Sequence, residues 1–267
     1  MPRTQGKRRL EKPPLLIALT EIRFAPILSM PTLIPEIQEN LRKSGFPAFT
    51  ANAVQQFQMI LGGGEPTIQT TSRWVFSSAD NSNAITLTTE GASVQTTQYT
   101  DFESFLKLIR VAVTVLSKVA EPSFTGRIGL RYVDAIENIA DDVQRYFNES
   151  ALTFSAADLG VKSLQFNQHI MAETDFGGLQ IRLTQVKDSA ILPPDLQTPE
   201  LEDLSRVIPG THAILDIDSS DARRTEFRWE LIEERLWAVH HYASTAFWKA
   251  ITDEARDIWG ERVGDDE

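Results

Sequence analysis

The side chains best placed by type and spacing to do chemistry are arginines. In GRIGLRYVDAIE, residues 126–137, Arg127 and Arg131 alternate with Ile128, Leu130 and Tyr132. A period of two is the signature of a strand, and it puts both arginines on one face. Arg23 has the same setting in EIRF, residues 21–24, with Glu21 on its own face and Ile22 and Phe24 on the other. A guanidinium presents a planar fork of donors that suits a carboxylate or a phosphate. In a chain of formal net charge −11, a local cluster of arginines is an anion-attracting spot. Arg23, Arg127, Arg131 and Glu21 are therefore the expected binding residues. They would take a small anionic, nucleotide-like ligand or an acidic segment of a protein partner. The competing expectation is structural: solvated strand arginines beside the chain's own carboxylates, Glu21 included, or each arginine locked to such a carboxylate under a covering loop.

Two carboxylates form a second candidate. Asp216 and Asp218 stand two apart on a predicted strand and so share a face, an arrangement that can hold Mg²⁺ or Ca²⁺. They would be the metal residues of a metal-dependent hydrolase. No further acidic residue stands at a recognisable spacing, so a solvated strand end is expected instead. The histidines, His169, His212, His240 and His241, lack metal-site spacing. His240 and His241 are adjacent on a helix and point apart, one toward the core and one toward water. LGGGEP, residues 61–66, opens no helix and has no following Lys in phosphate-loop order, so a hairpin loop is expected. There is no GxSxG, and there is no Cys to act as nucleophile, disulfide or metal ligand. No catalytic residue and no cofactor are predicted.

Positioning the arginines requires a sheet, and the chain supplies strands in quantity. Residues 15–25 form one strand. A helix carrying Ile34, Ile37 and Leu41 on one face follows, with Pro35 near its start and Gly45 as a left-handed cap. Strands over 53–61, 67–78, 83–89 and 92–99 make an antiparallel meander broken by turn residues. From residue 100 to Pro122 the spacing of Phe102, Phe105, Ile109, Val113 and Leu116 predicts a helix, with Thr100 and Glu103 as a capping box. The second half begins with the strand at 126–137. A short helix is predicted over 138–148, then strands over 163–173, 178–187 and 211–218. A long Pro-rich acidic surface loop separates the last two strands. A closing helix carries one stripe from Trp229 through Phe247 to Ile258 and ends at Gly260.

The halves resemble one another. EIRF matches GLRY of residues 129–132, and VQQFQMI of 54–60 matches LQFNQHI of 164–170. The expected fold is α+β, a two-layer arrangement of an antiparallel sheet with the long helices packed on one face. It would arise by internal duplication of a strand–helix–meander–helix unit. The expected organisation is a flexible basic tail over 1–12, a first half over 13–122 and a second over 123–262, joined in one compact domain.

Composition limits the functional classes. The acidic balance disfavours general nucleic-acid binding, which needs a basic surface. No apolar run approaches a membrane span, and the basic opening MPRTQGKRRLEKPP has no apolar segment behind it, so a cytoplasmic protein is expected.

PPLLIALTEIRF at 13–24, RIGLRYVDAIE at 127–137 and LIEERLWAVHHYASTAFWKAIT at 231–252 resemble a sporadically distributed family of uncharacterised prokaryotic proteins of about this length. The resemblance covers nearly the whole chain and brings no catalytic residues with it. A patchy distribution implies mobile genes, among which are toxin–antitoxin and phage-defence components. The function expected is that of a non-enzymatic binding or interaction protein with a protein partner or a copy of itself. An anionic-ligand sensor and a hydrolase using Asp216 and Asp218 are the alternatives.

Overall fold

The computed structural model describes residues 8–58, 67–139, 142–152, 160–161, 165–196, 201 and 204–263. The predicted loop at 61–66 lies outside them. Among the described residues the fold is α+β, with a large antiparallel sheet and four α-helices. In chain order the elements are β1 (Arg8–Leu10), β2 (Leu15–Phe24), α1 (Met30–Lys43), β3 (Ala48–Gln58), β4 (Thr67–Ser77), β5 (Asn83–Leu87), β6 (Gly91–Thr96) and α2 (Phe102–Val119). There follow β7 (Phe124–Ile136), β8 (Phe166–Glu173), β9 (Gly177–Ala190), β10 (Val207–Asp221), β11 (Thr225–Glu226), α3 (Trp229–Ala250), α4 (Asp253–Trp259) and β12 (Glu261–Val263). No helix is long and apolar enough to cross a membrane.

The chain divides into two compact units. One comprises Met1–Ala18, Arg131–Ser219 and Val239–Glu267, the other Leu19–Leu130 and Ser220–Ala238. The division passes within β2, β7, β10 and α3.

In the unit of Leu19–Leu130 the strands follow the order β3, β4, β5, β6, β2, β7. The meander pairs antiparallel from Ala48↔Ser77 onward. The stripe of α2 is buried as its spacing predicts, with Phe105, Ile109, Val113 and Leu116 at most 3% exposed. Each such side chain contributes about 1.5–3 kcal/mol on burial. The cap of α2 is Asp101, whose carboxylate accepts from the Ser104 N–H at 2.7 Å; the predicted Thr100 box is displaced because a carboxylate one residue later already fills that role. α1 begins at Met30, earlier than predicted, and keeps Pro35 inside it. At its end Phe46 N–H bonds Leu41 O, and Gly45 takes φ +98°, the left-handed cap the sequence called for.

In the other unit the order is β7, β10, β9, β8. The predicted surface loop between β9 and β10 does not hold where the segment is described, at 191–196, 201 and 204–206. Ile191, Leu192 and Leu201 are buried, and Leu192 and Leu201 pack with Ile17, Val133 and Ile214 in one apolar cluster. The predicted closing stripe breaks at residue 251. Thr252 caps a new helix by accepting from the Ala255 N–H at 3.0 Å, so α4 starts on its own axis and Ile258 is 40% exposed. Gly260 closes α4 at φ +67°. Among the described residues of the predicted helix over 138–148, the helical element is a 3₁₀ turn at Val143–Arg145. Part of the expected flexible tail is ordered, because Arg8–Leu10 pairs antiparallel with Glu261–Val263.

Candidate binding site

The structure brings together three of the four sequence-predicted binding residues. Glu21, Arg23 and Arg127 form one ion-pair chain: Arg23 Nε bonds Glu21 Oε1 at 3.0 Å, and Arg127 Nη1 bonds Glu21 Oε2 at 2.9 Å. Glu90 closes the chain on the far side of Arg23 at 2.9 Å. Gly129 makes room for this arrangement, since a Cβ there would stand 2.7 Å from Nη1 of Arg127. These residues remain partly open to solvent, where ion pairs contribute little.

Arg131 lies in a separate cluster. Its Nε and Nη2 bond the two oxygens of Asp216 at 2.7 and 2.8 Å. Its outer edge is held by Asp195, with Nη2 to Oδ1 at 3.1 Å. Asp195 stands on a 3₁₀ turn, Pro194–Leu196, in the covering segment. Burial opposes the Arg131 charge, but the hydrogen bonds to Asp216 and Asp195 more than offset it and raise the guanidinium pKa. The same contact, led by the hydrogen bond from Arg131, lowers that of Asp195. Arg182 approaches Asp216 at 3.5 Å. Together with Gln180 and Asp218 these groups line a cavity of about 120 Å³.

Two guanidiniums against three carboxylates leave no surplus positive charge in that cavity. An incoming anion must first displace Asp195. Asp216 is no solvated strand end; it is 5% exposed and both its oxygens are occupied by Arg131. Among the described residues no three of His, Asp and Glu are grouped to hold a metal. Asp134, also on β7, is buried, and burial with the neighbouring charge of Asp216 pushes its carboxyl up to about 8.

The histidines are structural where they are buried. His212 Nε2 lies 2.9 Å from Ile208 O, and its Nδ1 accepts from the Asn138 N–H at 3.3 Å. His240 Nδ1 lies 3.0 Å from the Tyr132 hydroxyl, while His241 is exposed, as the helix geometry predicts.

A different surface emerges at β8. It ends the strand order on its side, so among the described strands its neighbour is β9 alone, paired from Phe166↔Gln185 to Glu173↔Gly178. Its sequence, FNQHIMAE, holds no Lys and no Pro, the residues that usually guard an edge. Ile170 is 42% exposed and Met171 72%. Beside the edge a groove of about 150 Å³ is lined chiefly by Ile170, Ile181, Leu183 and Leu215 from the strands and by Ala246 and Ala250 from α3. The strand pleat puts Gln168 and Ile170 on the groove side and His169 and Met171 on the other, opposite Arg182 and Gln180. Sequence reasoning placed this strand but missed its edge position, which depends on pairing order.

No family model, no curated protein and no solved structure matches this chain.

Proposed function

We propose that this is a non-enzymatic interaction protein that takes up an extended segment of a protein partner along the outer side of β8. The observation that carries the reading is the position of β8, last in the order of the described strands and without Lys or Pro, beside the groove under Ile170. An added strand gains main-chain hydrogen bonds from such an edge, and alternate side chains find the groove. The arginine face is the weaker support, because Arg23, Arg127 and Arg131 are all engaged by carboxylates of the chain. A small anionic ligand is the second reading, and it rests on the exposed, exchangeable position of Asp195 on Arg131.

The architecture is read as a duplication. β2 is flanked in turn by β6, β5 and β4, and β7 by β10, β9 and β8. α2 follows the first meander and α3 the second, in the same order along the chain. On this reading Arg23 and Arg131 are equivalent, β8 corresponds to β4 rather than to β3, and the long helices share a face of the sheet. The resemblance to sporadic prokaryotic proteins implies a role in a mobile defence or toxin–antitoxin type system, and the setting is read as cytoplasmic.

The test is photo-crosslinking in cells. A benzophenone amino acid replaces Met171 in one variant and Leu28, which is 88% exposed, in another. The expected result is a discrete protein adduct from position 171 and none from position 28. No adduct at 171, or equal adducts at both, overturns the reading.

A further inference from the structure

Resting on the strand-addition reading, we infer that the segment β8 accepts is β8 of a second copy of this chain, paired antiparallel about a two-fold axis at Ile170. Directly opposed residues in an antiparallel pair project to the same face. A two-fold axis normal to the sheet therefore pairs groove-side residues with groove-side residues.

Centring the axis on Ile170 sets that side chain against its own copy at the mouth of both grooves. Gln168 then faces Ala172, and His169 faces Met171. Glu173, the one acidic residue of β8, meets Asn167, whose amide can donate to it. No like charges stand opposed anywhere in the paired stretch. Centring on His169 instead opposes two imidazoles and sets Ile170 against the polar Gln168. Centring on Met171 carries the pairing past Glu173, the end of the strand, and loses rungs. The sequence of β8 is thus self-complementary in one register, which covers Ile170, Met171 and Ala172. Each copy carries a formal charge of −11, so long-range repulsion opposes association and salt should strengthen it.

The chain has no Cys, which makes single-cysteine tests clean. In this register the two Ile170 Cα atoms lie within disulfide reach, while the two Gln168 Cα atoms lie four residues apart along the strands, beyond roughly 7 Å. Full-length Ile170→Cys should form a disulfide-linked dimer under mild oxidation, and Gln168→Cys should not. Sedimentation equilibrium of the unaltered protein should show a concentration-dependent rise from 30.0 kDa toward twice that mass, increasing with salt. Ile170→Lys should abolish the rise with an unchanged circular dichroism spectrum. A protein that stays at monomer mass with no Ile170→Cys dimer overturns the inference, as does equal cross-linking from both cysteines. If position 171 meanwhile yields an adduct with another protein, strand addition stands and only the identity of the partner falls; no adduct at all ends both.

Discussion

Arg131 and Asp216 meet side-on, Nε to Oδ1 at 2.7 Å and Nη2 to Oδ2 at 2.8 Å, with the two side chains only 12% and 6% exposed. This geometry makes Arg131 a tie between strand and covering segment. Deep burial of both charges makes each depend on the other.

Asp216→Asn should therefore destabilise the fold by about 3–5 kcal/mol, because it removes the buried counter-charge and leaves the guanidinium only the exposed Asp195. Asp195→Asn, at a side chain 59% exposed, should stay within about 1 kcal/mol. Urea titration of the two variants beside the parent measures the contrast. Similar losses at both positions would mean that Asp195 shares the structural role.

Asp134 sets a pH dependence. Its folded value of about 8 lies above the ordinary carboxylate range, so the folded protein keeps a proton that the unfolded chain releases near pH ~4. Its contribution is most favourable below that point. It declines as pH rises, at a slope approaching 1.4 kcal/mol per pH unit (~), and levels off above the folded value. Asp134→Asn should remove this slope. The variant should match the parent in urea at acid pH and exceed it above pH 8; equal midpoints there would show that the carboxyl ionises without penalty.

The α2 stripe and the outer side of α4 should respond to truncation to different extents. Ile109 is 0% exposed, and Ile109→Ala should cost about 2–5 kcal/mol through the cavity it leaves. Ile258→Ala, at a partly exposed site, should cost well under that, within about 1 kcal/mol. Thermal and chemical denaturation should rank them so.

Arg235, 1% exposed, gives its Nη donors to Thr125 Oγ1, Thr225 Oγ1, Gly126 O and Asp221 O, with Asp221 Oδ1 at 3.2 Å. An ammonium is a point charge and cannot reach so many acceptors in a fork. Arg235→Lys should cost about 3 kcal/mol or more. A loss below about 0.5 kcal/mol would show that the acceptors find other donors.

Much of this fold could be read from the chain because its cues are local. Period-two and helical spacing placed the strands and the α2 stripe, and Gly45 and Gly260 marked the two left-handed caps. The site was less legible. Arg23 and Arg131 have apolar neighbours of the same kind in sequence, yet the outer edge of Arg131 is covered by Asp195, in a stretch whose prolines and acids suggest a solvated loop although Ile191, Leu192 and Leu201 are buried. Arg131 and Asp216 are 85 residues apart, and no spacing rule joins them. Arg235 adjoins the buried Ile232, Leu236 and Val239, and nothing in its spacing marks a charged residue for burial. The edge position of β8 is a property of strand order, which no single stretch of sequence carries.

The pairing of β1 with β12 sets how the molecule meets a pull. Arg8 stands opposite Val263, and Leu10 opposite Glu261, so the outward ends of both strands lie at the same end of the ladder. Tension applied through the two flanking segments opens the rungs one after another, as a zipper opens, and never loads them together in shear. A force applied at Arg8 and Val263 thus parts this short ribbon one rung at a time, from that end toward Leu10 and Glu261.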